Sequence, residues 1–210
     1  MKIGFGRDLD LRNIEAALGA LRPGETLAVD ANQAWDLPQA LDMAERLGGL
    51  PLLWIEEPLR CDRPAAEWRE LAAASPIPLA GGENLRGRGQ FAAAIAAGAH
   101  RVIQPDICKW GGLSQCREVA REILAAGLRY CPHYLGGGIG LTASAHLLAA
   151  AGGDGMLEVD CNPNPLREML AAPYPALRDG CFPLGDTPGL GVEPDLKNLA
   201  QYETLRAECA

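Results

Sequence analysis

The sequence predicts an α/β fold of the (β/α)-barrel type. Short apolar runs alternate along most of the chain with longer segments that carry alanines and leucines at three- and four-residue spacing, a pattern typical of strands alternating with helices. The predicted strands are almost entirely apolar, as parallel strands covered on both faces should be. Seven such units follow one another without a change in composition, which favours a barrel over an open doubly wound sheet.

The predicted elements begin at the first residues of the chain. A strand at 1–6 runs into a glycine-containing loop, and the first helix follows at 8–21. Complete barrels of this type have about 250 residues, so we expect this barrel to be short. The remaining strands are predicted at 26–30, 52–55, 78–80, 101–104, 129–131 and 156–159, with helices between them at 37–47, 65–74, 89–97, 113–126 and 140–151.

The last part of the chain has a different character. From Asn162 onward prolines are frequent and the pattern becomes irregular, which predicts an extended segment that wraps over a surface and ends in a short helix near 196–208. We therefore divide the chain into barrel strands at 1–161 and a proline-rich C-terminal segment with a terminal helix at 162–210.

Composition limits the class of protein. The chain has 210 residues, 48% of them hydrophobic, which is enough for one sizeable core. A net charge of −8 and the lack of a basic run argue against a nucleic acid or an anionic membrane as partner. We find no apolar stretch long enough to span a bilayer and no signal-peptide pattern in the first residues, so we expect a soluble, cytoplasmic protein.

The seven cysteines do not form a recognisable metal or disulfide pattern. They contain no CxxC pair and are odd in number, so we expect reduced thiols.

Three acidic residues each close a short apolar run: Asp30, Glu56 and Glu83. The intervals between them are about the length of one strand, loop and helix, so the three carboxylates should lie at the same end of neighbouring parallel strands. Oxygen ligands without cysteine or histidine suit a hard divalent cation, which predicts a Mg²⁺ site with Mn²⁺ as the substitute. Any one of these acids taken alone is better explained as a cap of the following helix. The recurrence of an acid at the same position in three successive units favours a metal site for all three.

Other polar residues at predicted strand ends suggest a reaction. Because the active site of a barrel lies at the carboxyl ends of its strands, Lys2, Asp106, His133 and Glu158 should surround one pocket. A metal with a lysine and a histidine suits removal of a proton next to a carboxylate, with Lys2 and His133 as candidate bases. Asp106 could orient the His133 imidazole, and a protonated Glu158 could donate a hydrogen bond to the substrate carboxylate.

Each of these residues also has a structural explanation. Lys2 could be a solvated terminus, His133 a packed or surface histidine, Asp106 a turn residue after proline, and Glu158 an ordinary strand-end acid. We assign His100 and His146 to packing or the surface. Lys109 is a plausible partner of the carboxylates without a catalytic step.

Six short segments occur in a characteristic order, and together they resemble the enolase superfamily, specifically its mandelate racemase branch, over about residues 1–195. The resemblance implies a (β/α)₇β barrel in which Asp30, Glu56 and Glu83 bind Mg²⁺. The segments are Val29-Asp30-Ala31-Asn32-Gln33, Trp54-Ile55-Glu56-Glu57-Pro58, Gly82-Glu83-Asn84, Gln104-Pro105-Asp106 with Lys109-Trp110-Gly111-Gly112, Pro132-His133-Tyr134, and Leu157-Glu158.

The same resemblance implies roles for the remaining residues. Asp106 and His133 would form one base, and Glu158 would face the enediolate. Lys2 looks like the second lysine of a Lys-x-Lys motif and would be the base on the opposite face. The muconate-lactonising branch has a lysine where this chain has Asp106, so that branch is disfavoured.

The chain also departs from the family pattern. The first lysine of the motif, the first βα unit and the amino-terminal capping domain are not present in the sequence. The resemblance therefore implies a barrel with an open edge between its first and last strands.

The sequence thus predicts Mg²⁺-dependent removal of the α-proton of a hydroxy-carboxylate through an enediolate. Because sugar acids look like the commoner substrates of this branch, the resemblance implies an acid-sugar dehydratase. A racemase or epimerase of the same branch is an alternative, as is a truncated barrel fragment that lacks catalytic activity. A different metal-dependent barrel hydrolase is a weaker candidate, because such enzymes usually recruit more histidines. The expected partner is a small hydroxy-carboxylate or sugar acid, and a homo-oligomer is possible.

Overall fold

A parallel sheet organises the molecule. The structure is a computed structural model, and it describes residues 1–205. In this part of the chain the sheet has five strands in the order β1-β2-β3-β4-β5, all parallel. Residues at the same level include the pairs Asp30 with Glu56 and Glu56 with Ala80. The strands are β1 (Leu27–Asp30), β2 (Leu52–Glu56), β3 (Leu79–Gly81), β4 (Val102–Ile103) and β5 (Arg129–Tyr130).

A helix follows each strand, which confirms the predicted parallel α/β class. The α2 helix begins with a capping box between Asp36 and Gln39, and both reciprocal hydrogen bonds are present. The helices are α1 (Arg7–Ala20), α2 (Leu37–Leu47), α3 (Ala65–Ala74), α4 (Gly87–Ala97), α5 (Gly112–Ala125), α6 (Gly138–Ala151), α7 (Pro165–Met169) and α8 (Leu196–Leu199), with a 3₁₀ turn at Ala200–Tyr202.

Two of the seven predicted strands are absent from residues 1–205. At 1–6 the backbone makes one isolated parallel bridge, between Lys2 and Asp30, and the positive φ of Gly4 (94°) and Gly6 (140°) ends the extended run. At 156–159 no ladder forms. The Met156 N–H lies 3.4 Å from the Cys131 sulfur, so this backbone donor meets a side chain instead of a strand carbonyl.

The C-terminal segment is only partly helical. The helix predicted at 196–208 is a four-residue helix with a 3₁₀ turn, and residues 206–208 lie outside the described part of the chain. The short α7 was not predicted; its signals are Asn164 as N-cap and Pro165 in the first turn. The division at residues 161 and 162 stays a prediction.

Two apolar clusters fill the space between sheet and helices. One packs α2 and α3 on the first strands around Val29, Leu47 and Ile55, and the other packs α5 and α6 on the last strands around Ile103 and Ile123. These cores fix the strand ends, where the polar residues lie.

Two other expectations concern cysteines and membranes. The six cysteines within residues 1–205 are free thiols, as predicted, and Cys209 lies outside the described part. Among the helices of residues 1–205, none combines the length and apolar character needed to cross a bilayer.

Candidate active site

Five of the seven predicted site residues are buried at one edge of the sheet. Asp30 and Glu56 are the last residues of β1 and β2, and Glu83, Asp106 and His133 follow β3, β4 and β5 within three residues. Each of the five is at most 8% exposed. They lie together because each stands at or just after the end of its strand, and the carboxyl ends of parallel strands lie on the same side of the sheet.

Lys2 lies beside Asp30. The two residues share the isolated backbone bridge, and the Lys2 ammonium forms a close ion pair with the Asp30 carboxylate. Burial lowers the pKa of Lys2, but the hydrogen bond to Asp30 and the charges of Asp30, Glu56 and Glu83 outweigh it, so the net pKa is raised. The pairing argues against a freely solvated terminus.

Glu56 has amide and indole partners instead of cations. Its Oε2 accepts from Gln104 Nε2 at 2.7 Å and from Trp54 Nε1 at 3.3 Å. Burial, together with the negative charge of Asp30, raises the pKa of Glu56 to about 7. A cation placed between Asp30 and Glu56 would relieve this repulsion.

Glu83 has cationic neighbours. Its Oε1 accepts from Lys109 Nζ at 3.1 Å and from Asn84 Nδ2 at 3.0 Å, and its Oε2 lies 2.6 Å from His133 Nε2. Burial favours the neutral acid, but His133 and Lys109 lower the pKa of Glu83 to about 2. The predicted contact between Lys109 and the carboxylates is confirmed.

Asp106 and His133 form a buried pair. His133 Nδ1 lies 2.8 Å from Asp106 Oδ2, and Asp106 Oδ1 accepts from the backbone N–H groups of Cys108 (2.8 Å) and Lys109 (3.1 Å). The turn therefore holds the aspartate, and the aspartate holds the imidazole. Burial lowers the pKa of His133, but Asp106, Glu83 and Glu158 raise it to about 10.

Glu158 lies at the rim of a cavity of about 350 Å³ that is also lined by Lys2, Asp30, Glu56 and Gln104. Its side chain is 42% exposed, and its Oε2 accepts from the Tyr134 N–H at 2.8 Å and lies 3.8 Å from His133 Nε2. The cavity thus presents acidic groups and a lysine to one space, and Glu158 connects it to the neighbouring His133.

The donor chemistry of Asp30, Glu56 and Glu83 fits a hard divalent cation, because all their ligating atoms are carboxylate oxygens. Lys2 already places one positive charge near all three. Within residues 1–205, however, no group of three or more histidine, cysteine, aspartate or glutamate side chains is gathered tightly enough to hold a metal. Asp30 is paired with Lys2, and Glu83 with His133 and Lys109, so the ligand assignment stays a prediction.

Sequence reasoning did not assign roles to three polar residues next to the site. Gln104 holds Glu56, Asn84 holds Glu83, and Glu57 is 2% exposed behind them. All three occur in the quoted segments, so position next to a site acid was the available signal. His100 packs against Trp68 with ring centroids 4.6 Å apart, as the packing assignment predicted.

The chain is similar to known proteins along nearly its whole length. Residues 1–198 match the family model described as Enolase C-terminal domain-like. A curated relative, D-galactarolactone cycloisomerase of Agrobacterium fabrum, is 34% identical over 96% of this chain and 55% of its own length. A mandelate racemase/muconate lactonizing enzyme from Bordetella bronchiseptica RB50 has a crystal structure that is 56% identical, with a TM-score of 0.90 over 95% of this chain and 56% of that one.

A third comparison includes ligands. The crystal structure of L-talarate dehydratase from Polaromonas sp. JS666, complexed with Mg and L-glucarate, is 29% identical, with a TM-score of 0.81 over 92% of this chain and 52% of that one. The curated relatives include sugar-acid dehydratases and cycloisomerases. The chain spans about half the length of the curated relatives it matches.

Proposed function

Because this chain belongs to the mandelate racemase branch of the enolase superfamily and has the fold of its C-terminal barrel domain, we propose that it is a Mg²⁺-dependent acid-sugar dehydratase. The observation that carries this proposal is the buried Asp106–His133 pair at the same sheet edge as Lys2 and the three acids. This arrangement provides two proton-transferring groups beside a group of negative charges.

Asp30, Glu56 and Glu83 would hold the Mg²⁺, with Mn²⁺ as the expected substitute. When bound, the ion offsets negative charge that develops on a substrate carboxylate as the neighbouring proton leaves. Magnesium is present in the talarate dehydratase structure and in a related racemase structure from Streptomyces coelicolor A3(2). Glu158 would face the enediolate from the rim of the cavity.

His133 and Lys2 would transfer the protons: one would remove the α-proton and the other would protonate the leaving hydroxyl. The pKa of each is raised by neighbouring carboxylates, so both are cations at neutral pH in this structure. The group that takes the α-proton must first lose its own proton. The group that keeps its proton can protonate the β-hydroxyl as the C–O bond breaks, which leaves an enol that becomes a 2-keto acid.

A racemase is the second candidate, since Lys2 and His133 provide two proton-transferring groups. The cycloisomerase relative makes ring opening or closure of a sugar-acid lactone a further variant. These reactions share their first step, removal of the proton next to the carboxylate. A barrel fragment without activity is the non-enzymatic alternative.

The shared first step and the products can be tested together. The purified protein is incubated with Mg²⁺ in D₂O with glucarate, galactarate, L-talarate or arabinonate. We expect a 2-keto acid as product, with deuterium by NMR at the carbon that lost the hydroxyl, because the enol takes up a deuteron from the solvent there as it becomes the keto form. Deuterium at the α-carbon of recovered substrate or of its epimer would report the shared first step. The His133→Asn variant is the matched control and should lose the 2-keto product. The proposal would be refuted if no substrate gave deuterium incorporation or a 2-keto product, also after fusion of the chain to a complete amino-terminal half of a relative.

A further inference from the structure

Glu57 is a buried acid that the proposed chemistry does not use. It directly follows Glu56, yet its side chain is 2% exposed and lines a separate cavity of about 200 Å³ together with Trp68 and His100. A buried carboxylate is retained at low cost only if it is well hydrogen-bonded. The partners of Glu57 therefore indicate its role.

Those partners come from the loops after two other strands. Asn84 Nδ2, after β3, lies 3.0 Å from both Glu57 carboxylate oxygens, and Gln33 Nε2, after β1, lies 3.1 Å from Oε2. The same Asn84 amino group donates to Glu83 Oε1 at 3.0 Å. Gln33 Oε1 accepts from the Cys61 N–H at 3.0 Å.

The backbone of these loops is also fixed by Glu57. The Gln33 N–H donates to the Glu57 carbonyl at 2.7 Å, and the Glu57 N–H donates to the Ala80 carbonyl at 3.0 Å. Asn32, Gln33 and Glu57 have positive φ angles of 43°, 62° and 41°, a conformation that residues other than glycine seldom adopt. The surrounding hydrogen bonds hold these residues there.

We propose that Glu57 is a positioning residue that fixes the spacing of Asp30, Glu56 and Glu83 by joining the three loops after β1, β2 and β3. Each of these loops directly follows or contains one of the three acids. The proposal rests on the proposed function for its metal, but the hydrogen-bond network itself does not depend on a cation.

The network accepts a carboxylate and rejects an amide at position 57. Both Asn84 and Gln33 present N–H donors, and a carboxylate can accept from each of them. In Glu57→Gln, one oxygen becomes an NH₂ group that meets another donor. The double variant Glu57→Gln, Gln33→Glu removes the conflict with residue 33, because the new amide at position 57 then donates to the new carboxylate at position 33, while Asn84 still donates to the oxygen that remains at position 57. That carboxylate can still accept from the Cys61 N–H.

Cation affinity tests the proposal. Mn²⁺ is titrated by EPR into the wild-type chain, Glu57→Gln, the swapped double variant, and Glu70→Gln as a control at an exposed position of α3. Residues that orient metal ligands typically change affinity by about 10- to 100-fold, so we expect that loss in Glu57→Gln and recovery to within about 3-fold in the swap. Affinity unchanged in Glu57→Gln would overturn the proposal.

Amide hydrogen exchange without metal provides a second, independent readout. Glu57→Gln should raise exchange in all three loops, at about 31–35, 57–61 and 82–86, whereas Asn84→Ala should affect the β3 loop and leave the β1 loop protected. Unchanged exchange after β1 and β3 in Glu57→Gln would overturn the proposal. If the wild-type chain binds no Mn²⁺, the proposed function fails, and the exchange pattern still decides the role of Glu57. If Glu57→Gln does not fold, the swapped double variant decides its role: a folded swap with wild-type exchange in all three loops would support the proposal, and a swap that does not restore the fold would overturn it.

Discussion

Asp106 acts through geometry as well as charge. Its Oδ1 is fixed by two backbone N–H groups, and its Oδ2 holds His133 Nδ1 at 2.8 Å. In Asp106→Asn the amide cannot accept from the imidazole in the same way, so Nε2 loses its fixed orientation. We expect kcat for the 2-keto product to fall by about 10²- to 10⁴-fold with a small change in KM, measured by initial rates.

A matched control for this variant is Asp154→Asn. Asp154 pairs with Arg129 outside the site and its side chain is 68% exposed, so its loss should leave both kcat and stability essentially unchanged. A rate in Asp106→Asn that equals the wild-type rate would exclude the pair from proton transfer.

His100 should make stability depend on pH. Burial lowers the pKa of His100 from 6.5 to about 4, and its Nδ1 has no hydrogen-bond partner within residues 1–205. Between the folded-state pKa of about 4 and the unfolded value of 6.5, the unfolded chain binds a proton on His100 more readily than the folded chain does. The folded state is therefore fully stable with respect to this group above about pH 6.5, and it loses stability as pH falls. Lowering the pH from about 7 to about 4.5 should cost about 2 kcal/mol through this group.

The contribution of His100 can be isolated with His100→Gln, which does not titrate. Urea unfolding of both proteins over this pH range gives the difference in unfolding free energy. We expect the unfolding free energy of the wild-type chain to decrease relative to that of His100→Gln as pH falls. A difference that stays constant would show that His100 takes up a proton without penalty in the folded state.

At the scale of elements, the bend between β3 and Glu83 depends on Gly82. Its φ is +133°, and a Cβ there would lie 2.9 Å from the Gln104 backbone nitrogen. Gly82→Ala should therefore destabilise the fold by at least about 1 to 3 kcal/mol and displace Glu83. Gly89→Ala is the control, because a Cβ meets nothing within 4 Å inside α4, and it should stabilise by about 0.5 to 1 kcal/mol. Urea midpoints measure both, and equal midpoints would contradict the steric argument.

Helices were more predictable than strands in this chain. The bounds of α2 and α3 agree with the sequence because their ends carry local signals, such as Asp36 and Gln39 or the proline before α3. The expected strand at 156–159 failed because a strand needs a neighbour, and pairing is a property of the sheet that an apolar run does not encode. The predicted strand at 1–6 is reduced to a single bridge at Lys2 for the same reason.

At the scale of the whole molecule, the regular recurrence of strands along the sequence determined which side chains meet. It did not determine which of them form hydrogen bonds or ion pairs with one another. Asp30, Glu56, Glu83, Asp106 and His133 reach one edge because each follows a strand of the same sheet. The ion pairs of Asp30 and Glu83 depend on side-chain directions after each strand ends, and no local pattern specifies these. Glu57 was missed for a related reason: its partners lie 24 and 27 residues away along the chain.

Mg²⁺ should stabilise the whole chain if the three acids share it. A ligand that binds the native state at 100 times its Kd adds about 2.7 kcal/mol, which for a chain of this size should raise Tm by about 5 to 10 °C. The measurement compares thermal melts in EDTA, in Mg²⁺ and in NaCl of equal ionic strength. Asp30→Asn should lose the increase, while Asp8→Asn, on the exposed side of α1, should keep it. A wild-type Tm that does not respond to Mg²⁺ would favour the non-catalytic barrel, because the carboxylates would then remain paired with Lys2, His133 and Lys109.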